Sequence, residues 1–306
     1  MDDQSMDGFI NFLKPPGITS HQCVAMFRKM LGIKKIGHAG TLDPGAAGVL
    51  PICIGKGTKA AAYLLESKKI YRAEMCLGIT TESQDAYGNI TGMRPPGNIR
   101  QEQLTDVFQS FEGKITQVPP MFSAIKRKGK PLYKLARRGE VVPRKPREAV
   151  IYSLEIIKVD LPRILFQVEC SKGTYIRTLA ADIGEQLGTG AYLSFLLRVQ
   201  SGPFGIEESH TKEEVDNKLQ EENLKECILP LDHAFGDFPQ VILQEKAVRP
   251  FVNGAALSPA GLKNYIISDK MVRVYSPCGL FLALGKWQEK KGERVLAPEK
   301  IFRQAL

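Results

Sequence analysis

The order of strand-like and helix-like segments is the feature that most constrains the fold of this chain. Short apolar or alternating runs are typical of strands, and between them apolar residues recur at helical spacing. The predicted strands cover residues 8–13, 49–54, 69–77, 149–159 and 164–170. The predicted helices cover residues 21–31, 100–111 and 178–187. Strands and helices interspersed in this way predict a mixed α+β fold.

The pattern changes near residue 238. An acidic, helix-prone stretch is followed by short strands with frequent glycine and proline between them, as in a small β domain. These strands cover residues 240–243, 271–275 and 280–287. At 306 residues the chain exceeds the roughly 250 to 300 residues at which a single core stops growing. We therefore expect two domains, at residues 1–230 and 236–306.

The positive charge is concentrated in one short segment. The chain has a net charge of +9, and ten basic but only two acidic residues lie between Lys126 and Glu148. Basic clusters favour a polyanionic partner, because neutralising phosphates releases counterions. A solvated run of charges is the alternative. We expect a basic loop at about residues 120–148 that binds RNA.

Several classes of protein are excluded by composition and spacing. The six cysteines form no C-x-x-C pair and the four histidines show no H-x-x-x-H spacing, so neither a zinc site nor a disulfide framework is indicated. The start, MDDQSMDGFINF, is acidic where a signal peptide is basic. No run approaches the roughly 18 apolar residues of a membrane span. These observations predict a reduced, cytoplasmic protein with no membrane partner.

A glycine-rich loop, residues 37–48, contains the first candidate for catalysis. It holds four glycines, and Asp43 stands in it between Leu42 and Pro44. A carboxylate held in a rigid turn can act as a nucleophile. It can equally be a turn aspartate that bonds its own backbone. A nucleotide site is not indicated, because neither this loop nor residues 55–59 match the glycine spacing of phosphate-binding loops.

Residues 37–59 closely resemble the motif GHAGTLDPxAxGxLP…G.ATK of the tRNA pseudouridine synthase B family. Further segments resemble the family in the same order along the chain. They are NFLKPPGITS at 11–20, KIYRA at 69–73, PMFSAIK at 120–126 and GTYIRTL at 173–179. Looser similarity to a PUA module, an RNA-binding β domain, extends over residues 249–257, 272–284 and 296–302.

The resemblance implies a catalytic domain with a mixed or antiparallel sheet, followed by a small β-barrel-like PUA domain. It also implies an isomerase that converts uridine 55 in the T loop of tRNA to pseudouridine. Asp43 would attack the flipped-out nucleotide, so that the uracil detaches, turns and reattaches through carbon. The family requires no cofactor and no metal.

The same resemblance assigns the remaining site residues. Tyr71 is similar to the aromatic residue that stacks on the uracil, and Tyr175 and Leu196 to further walls of the base pocket. Arg177 matches the arginine that pairs with the catalytic carboxylate. His38 lies where the family has a histidine that fills the stack vacated by the uridine.

Two residues are expected to support the site from outside the base pocket. Asp85 matches an acidic position, although its surroundings, TTESQDAYG, match only in part. Arg198 follows Leu197 where many relatives have two arginines. The residues expected to contact RNA, besides His38, are basic: Lys14, Lys59, Lys126, Arg127, Lys128 and Lys130.

The leading hypothesis is thus a monomeric enzyme that acts on the tRNA T stem-loop without a guide RNA. One alternative is a ribosomal or guide-RNA-directed pseudouridine synthase of the related archaeal and eukaryotic branch. The other is a tRNA-binding chaperone without catalysis, which would use the basic loop and the second domain.

Overall fold

The computed structural model describes residues 6–127, 129–290 and 292–303. These residues form a large sheet, a smaller second sheet, and helices that pack against both. The first five residues lie outside the described ranges. They include part of the acidic start, on which the predicted absence of a signal peptide is based. None of the described helices is long and apolar enough to cross a bilayer.

The strands of the large sheet come from the first two thirds of the chain. The strands of this region are β1 (Gly8–Lys14), β2 (Ile36–His38), β3 (Ala47–Ile54), β4 (Lys69–Leu77), β5 (Ile79–Thr81), β6 (Ile90–Met93), β7 (Gly113–Gln117), β8 (Lys126–Arg127), β9 (Lys130–Pro131), β10 (Arg147–Asp160), β11 (Arg163–Cys170), β12 (Ala191–Ser201) and β13 (Phe204–Gly205). The sheet order is β1-β3-β12-β4-β11-β10-β7, with β2 beside β3 and β13 beside β12. Only β3 and β12 pair in parallel among the described strands of this sheet. The sheet is therefore mixed, and two small hairpins, β5–β6 and β8–β9, lie outside it.

The helices are α1 (Ser20–Leu31), α2 (Ala61–Glu66), α3 (Gln101–Ser110), α4 (Leu132–Ala136), α5 (Ile176–Gln186), α6 (Lys212–Gln220) and α7 (Glu245–Val252). The start of α1 is set by a capping box, in which Thr19 and Gln22 satisfy each other's backbone N–H groups. The helix ends at Leu31 and is followed by Gly32, whose φ of 67° lies in the left-handed region that favours glycine. The predicted helix is confirmed, and Leu31 at its end is partly exposed.

The core of the large sheet has two parts, one on each half of the sheet. Helix α1 packs with β1 and β3, where the Phe12 and Phe27 rings lie 5.0 Å apart edge to face. Helices α3 and α5 pack with β4, β10, β11 and β12, where Phe108 meets Phe166 at 5.7 Å. Such aromatic pairs add to the free energy gained by burial.

The second sheet is formed by β14 (Gln240–Leu243), β15 (Leu262–Asn264), β16 (Val272–Tyr275), β17 (Phe281–Lys290) and β18 (Glu293–Ile301), in the order β15-β14-β16-β17-β18. It has its own core with α7. A further cluster of phenylalanines joins it to the large sheet: Phe9, Phe204, Phe235, Phe281 and Phe302. The mixed α+β prediction is confirmed, and the assignment of the second sheet to the PUA family stays a prediction.

Several elements were not expected from the sequence, among them β12, α7 and the β8–β9 hairpin. The sequence of β12 does not show the regular alternation of apolar and polar residues, because two bulges interrupt its pairing with β4. Helix α7 contains Pro250, which disfavours a helix prediction. The expected loop at residues 120–148 also contains structure, because Met121, Leu132 and Leu135 form a small core beneath β8, β9 and α4.

We predict that Gly48→Ala lowers the free energy of unfolding by at least about 2 kcal/mol. Gly48 has a φ of 113°, and an added Cβ would lie 2.2 Å from the carbonyl oxygen of Arg198 on the paired strand. Urea denaturation measures the loss. Gly236→Ala is the matched control, since nothing lies within 4 Å of its added carbon. Equal stability of the two variants would contradict the prediction.

Candidate active site

A cavity of about 950 Å³ opens beside the glycine-rich loop. Its volume is near the upper end of the roughly 300 to 1,000 Å³ typical of ligand sites. The residues around it come from the glycine-rich loop, from the turn at 82–88, from residues 122–124 and from β12. Five residues predicted from the sequence line it together: His38, Asp43, Asp85, Arg177 and Leu196.

An ion pair between Asp43 and Arg177 lies at the centre of this site. Arg177 Nε donates to Asp43 Oδ2 at 2.8 Å. The terminal nitrogens of Arg177 donate to the carbonyl oxygens of Ser83, at 3.0 Å, and Phe122, at 2.9 Å. The Arg177 side chain is 4% exposed and that of Asp43 is 40% exposed. Arg177 is thus fixed on three sides, while Asp43 Oδ1 has no hydrogen bond from any described residue.

Asp85 is a second carboxylate near the same nitrogen of Arg177. Its Oδ2 is 3.7 Å from Arg177 Nε. Its Oδ1 accepts hydrogen bonds from the Ser83 hydroxyl and the Tyr87 N–H. The carboxylate of Asp85 therefore shapes the turn at 82–88 and adds a second negative charge beside Arg177.

Lys14, which was predicted to contact RNA, is fully buried. Its Nζ donates to the carbonyl oxygens of Pro15, Ile18 and Pro44. Burial lowers the pKa of this ammonium group to about 8. Lys14 holds the backbone next to Asp43 and has no donor left for a phosphate.

Arg198 is also buried, with 1% of its surface exposed. Its guanidinium group donates to the carbonyl oxygens of Val49, at 2.7 Å, Gly40, at 3.1 Å, and Thr41, at 3.5 Å. The predicted supporting position thus acts on the backbone of the glycine-rich loop.

His38 lines the cavity in a setting that disfavours its charged form. Its Nδ1 is buried and has no hydrogen-bond partner among the described residues. Burial, and next the nearby guanidinium of Arg198, lower the pKa of His38 below its ordinary value of 6.5. The imidazole is therefore neutral at pH 7.

The three predicted walls of the base pocket are only partly brought together. Leu196 lines the cavity, but neither Tyr71 nor Tyr175 is among the described residues around it. Tyr71 is partly buried on β4, where it packs against both halves of the core. The backbone of Tyr175 is held by two hydrogen bonds with the Gln117 side chain. Burial raises the pKa of both tyrosines, so their hydroxyls remain protonated at neutral pH.

The predicted RNA-contact lysines and arginines have different surroundings. Lys126, Arg127 and Lys130 are exposed on the β8–β9 hairpin. Lys128 lies outside the described residues. Lys59 is partly buried, and its Nζ donates to the carbonyl oxygen of Ile301 in the second sheet. This bond joins the two parts of the protein, and the predicted contact of Lys59 with RNA stays a prediction.

Sequence patterns missed several residues of the site. The carbonyl groups of Ser83 and Phe122 hold Arg177, and no side-chain pattern marks a carbonyl acceptor. Phe122 does lie in the segment PMFSAIK, whose resemblance to the family was its only signal. Tyr87 and Phe195 also line the cavity. An aromatic residue in the polar turn TTESQDAYG was the one available signal for Tyr87.

Two protein-family models match the chain. A model described as TruB family pseudouridylate synthase, N-terminal domain, matches residues 28–176. A model described as the tRNA pseudouridylate synthase B C-terminal domain matches residues 177–236. The chain is 43% identical, over 92% of its length and 95% of the relative's, to a protein of Clostridium kluyveri named tRNA pseudouridine synthase B. The chain belongs to the TruB family.

Other TruB-family relatives match to a similar degree. A protein of Pelotomaculum thermopropionicum with the same name is 42% identical over 97% of this chain and 95% of the relative. Among solved structures, a chain in "Crystal Structure of a Cbf5-Nop10-Gar1 Complex" has a TM-score of 0.76 and 31% identity, and the match covers 98% of this chain and 86% of that one. A chain in a structure of an H/ACA RNP bound to a substrate RNA has a TM-score of 0.75, 29% identity and the same coverage of both chains. The match therefore spans both sheets of this TruB-family chain.

We predict that His38 makes the TruB-family chain less stable as the pH falls below about 7. The pKa of His38 in the folded chain is below 6.5, the ordinary value that it has in the unfolded chain. As the pH falls through 6.5, the unfolded chain therefore takes up the proton first, and the free energy of unfolding decreases. The loss grows until the pH reaches the folded-state pKa. Urea denaturation gives the free energies of unfolding of the wild type and of His38→Gln between about pH 5.5 and pH 7.5. The difference between these two free energies should change with pH. A difference that is independent of pH would contradict the prediction.

Proposed function

We propose that this chain isomerises uridine 55 in the T loop of tRNA to pseudouridine, with Asp43 as the nucleophile. The observation that carries the proposal is the carboxylate of Asp43, which lies beside a cavity, is fixed at one oxygen by Arg177 and accepts no hydrogen bond from a described residue at the other. The names of the relatives, tRNA pseudouridine synthase B, supply the substrate class.

The reaction needs one nucleophile and no external reagent. The carboxylate of Asp43 adds to the flipped-out nucleotide, and the N1–C1′ bond breaks. The uracil turns, C5 bonds to C1′, and the carboxylate is released. C5 loses its proton and N1 gains one, so product and substrate have the same atoms and the same oxidation state.

The pair of Asp43 and Arg177 is suited to this role because its geometry is fixed before the RNA binds. A charge-assisted hydrogen bond of 2.8 Å orients the carboxylate. The two backbone acceptors of Arg177 prevent the guanidinium from following the carboxylate when it moves onto the substrate. Preorganised groups of this kind lower the barrier without rearranging during the reaction.

The remaining predicted residues would bind the flipped-out uracil or fill the space that it leaves in the RNA. Leu196 contacts the uracil, and Tyr71 and Tyr175 join it once the RNA has entered, since bases extruded from RNA are held by stacking. His38, neutral at pH 7, fills the space that the uridine leaves in the RNA stack.

The RNA itself would be bound by the basic segment and the second sheet. Tyr133 and Arg137 belong to the basic segment and line the cavity. The basic segment would therefore lie next to the reacting nucleotide. We propose that the second sheet is a PUA domain, and that the chain acts as a cytoplasmic monomer without a guide RNA. A guide-directed synthase and a chaperone without catalysis remain the competing functions that the next experiment separates.

We predict that Asp43→Asn abolishes pseudouridine formation while the affinity for tRNA stays within a few fold of wild type. The amide keeps the shape of the side chain but removes the nucleophile. Tritium release from tRNA labelled at uracil C5, with no guide RNA added, measures the reaction. Asp160→Asn, which changes a side chain that is 78% exposed, is the matched control.

The outcomes distinguish the competing functions. Release by wild type and the control, but not by Asp43→Asn, supports the proposal. No release by the wild type from bound tRNA favours the chaperone, and release only after guide RNA is added favours the guide-directed enzyme. Loss of both release and binding in Asp43→Asn alone would mean that Asp43 is structural.

We predict that replacing Lys126, Arg127 and Lys130 with alanine weakens tRNA binding and reduces its salt dependence. The slope of log K against log salt concentration should fall by about one for each phosphate that the variant no longer neutralises. Filter binding at several salt concentrations measures the slope.

The matched control removes the same charge from exposed lysines outside the basic segment, namely Lys29, Lys114 and Lys158. Its salt slope should stay close to that of the wild type. Equal slopes for the two triple variants would show that the basic segment does not bind phosphates.

A further inference from the structure

Two aromatic side chains at the cavity have no role in the reaction proposed above. Tyr87 is 74% exposed and Phe195 is 47% exposed, and both line the cavity. Neither ring stacks on or meets the edge of another ring within the described part of the chain. Single exposed apolar residues are common, but two unpaired aromatic rings at one cavity indicate a contact surface.

The backbone joins the two segments that carry these residues. Asp85 forms a parallel β-bridge with Leu193, and the N–H of Ala86 donates to the Leu193 carbonyl at 3.1 Å. Tyr87 lies two residues beyond this bridge in the turn at 82–88, and Phe195 lies two residues beyond it on β12. The bridge therefore joins the two segments that bring these aromatic residues to the cavity.

A β-bulge sets the position of Phe195. The pairing of β12 with β4 shifts between Leu193 and Phe195, so that Ser194 is the extra residue. Ser194 Oγ fixes the bulge, because it lies 3.0 Å from the Glu74 carbonyl oxygen and 2.7 Å from Glu74 Oε1. Bulges redirect side chains and are common beside active sites. Phe195 is thereby exposed on a strand whose flanking residues are partly or fully buried.

A strained turn sets the position of Tyr87. Gln84 has a φ of 63°, a conformation that costs a residue with a side chain about 1–3 kcal/mol. The Gln84 side chain accepts a hydrogen bond from Thr178, the residue after Arg177, and this contact holds the turn. The N–H of Tyr87 then donates to Asp85 Oδ1. The exposed tyrosine therefore stands on backbone that is tied to the catalytic ion pair.

The ring of Tyr87 lies directly against the glycine-rich loop. A Cβ added to Gly45 would come within 2.0 Å of Tyr87 Cε2. Gly45 is two residues beyond Asp43, so the ring contacts the same turn of the loop that carries the proposed nucleophile. In this position the ring occupies the space that a side chain at residue 45 would fill.

We propose that Tyr87 and Phe195 form a stacking site for an unpaired RNA base next to the target uridine. This inference rests on the proposed function. A uridine that leaves the stack deprives its neighbours of a stacking partner, and aromatic side chains replace such partners for any base. The basic residue Arg137 lines the same cavity, so the surface suits a base attached to phosphate better than an apolar peptide.

The test uses T stem-loop RNAs that carry 2-aminopurine at the nucleotide on either side of the target uridine. Binding to the wild type should quench the fluorescence at one of these positions. Tyr87→Ala and Phe195→Ala should each reduce this quenching and raise KM at least about fivefold, the lower end of the loss expected for one base–aromatic stack. The kcat should stay within about twofold.

Two further variants separate stacking from folding. Tyr87→Phe keeps the ring and should behave as the wild type. Met93→Ala is the matched control, because it removes a side chain that is 70% exposed on the neighbouring strand β6 and does not line the cavity. It should leave both quenching and KM unchanged.

The results that would overturn the stacking site differ from those that would overturn the proposed function. Unchanged quenching and KM in Tyr87→Ala and Phe195→Ala, with an active wild type, would remove the stacking site alone. So would a fall in kcat with unchanged KM, or a defect in Tyr87→Phe equal to that of Tyr87→Ala. An inactive wild type would instead remove the proposed function.

Discussion

The glycine-rich loop depends on buried positive charge to satisfy its backbone. A loop of irregular conformation has carbonyl groups without partners in a helix or sheet, and each such group costs about 1–3 kcal/mol when it is buried and unpaired. Arg198 bonds the carbonyls at the start of the loop, and Lys14 bonds that of Pro44. Arg177 donates to the carboxylate of Asp43, which lies between these anchored carbonyl groups in the chain. The position of the proposed nucleophile is therefore the result of cations that approach it from three different segments of the chain.

These cations also determine the electrostatics of the cavity. Desolvation lowers the pKa of Lys14 to about 8, and the charge of Arg198 contributes to the lowered pKa values of both Lys14 and His38. Burial is the main reason why the imidazole of His38 is neutral, and Arg198, which also holds the backbone of the loop, is the next. A change to Arg198 would therefore alter both the support of the loop and the electrostatics of the cavity.

How much the sequence predicted depended on how regular each segment is. The alternating run Lys69–Leu77 matches its strand at both ends, whereas β12 was missed because its bulges break the alternation. The ion pair joins residues 134 positions apart, which no spacing rule reaches, so its prediction rested on resemblance to a family. Lys14 was expected on RNA because residue type alone does not indicate burial, and the carbonyl of Ser83 has no signature in the sequence.

The place of β12 in the sheet has a consequence for the order of folding. This strand lies between β3 and β4, although it follows them in the chain, and the bond from Arg198 to Val49 spans 149 residues. Contacts between such distant residues form slowly. At roughly 5–20 residues per second, a ribosome needs several seconds to complete this interval. A nascent chain therefore carries the whole glycine-rich motif, with β3 and β4 still open along one edge, well before a catalytic site exists.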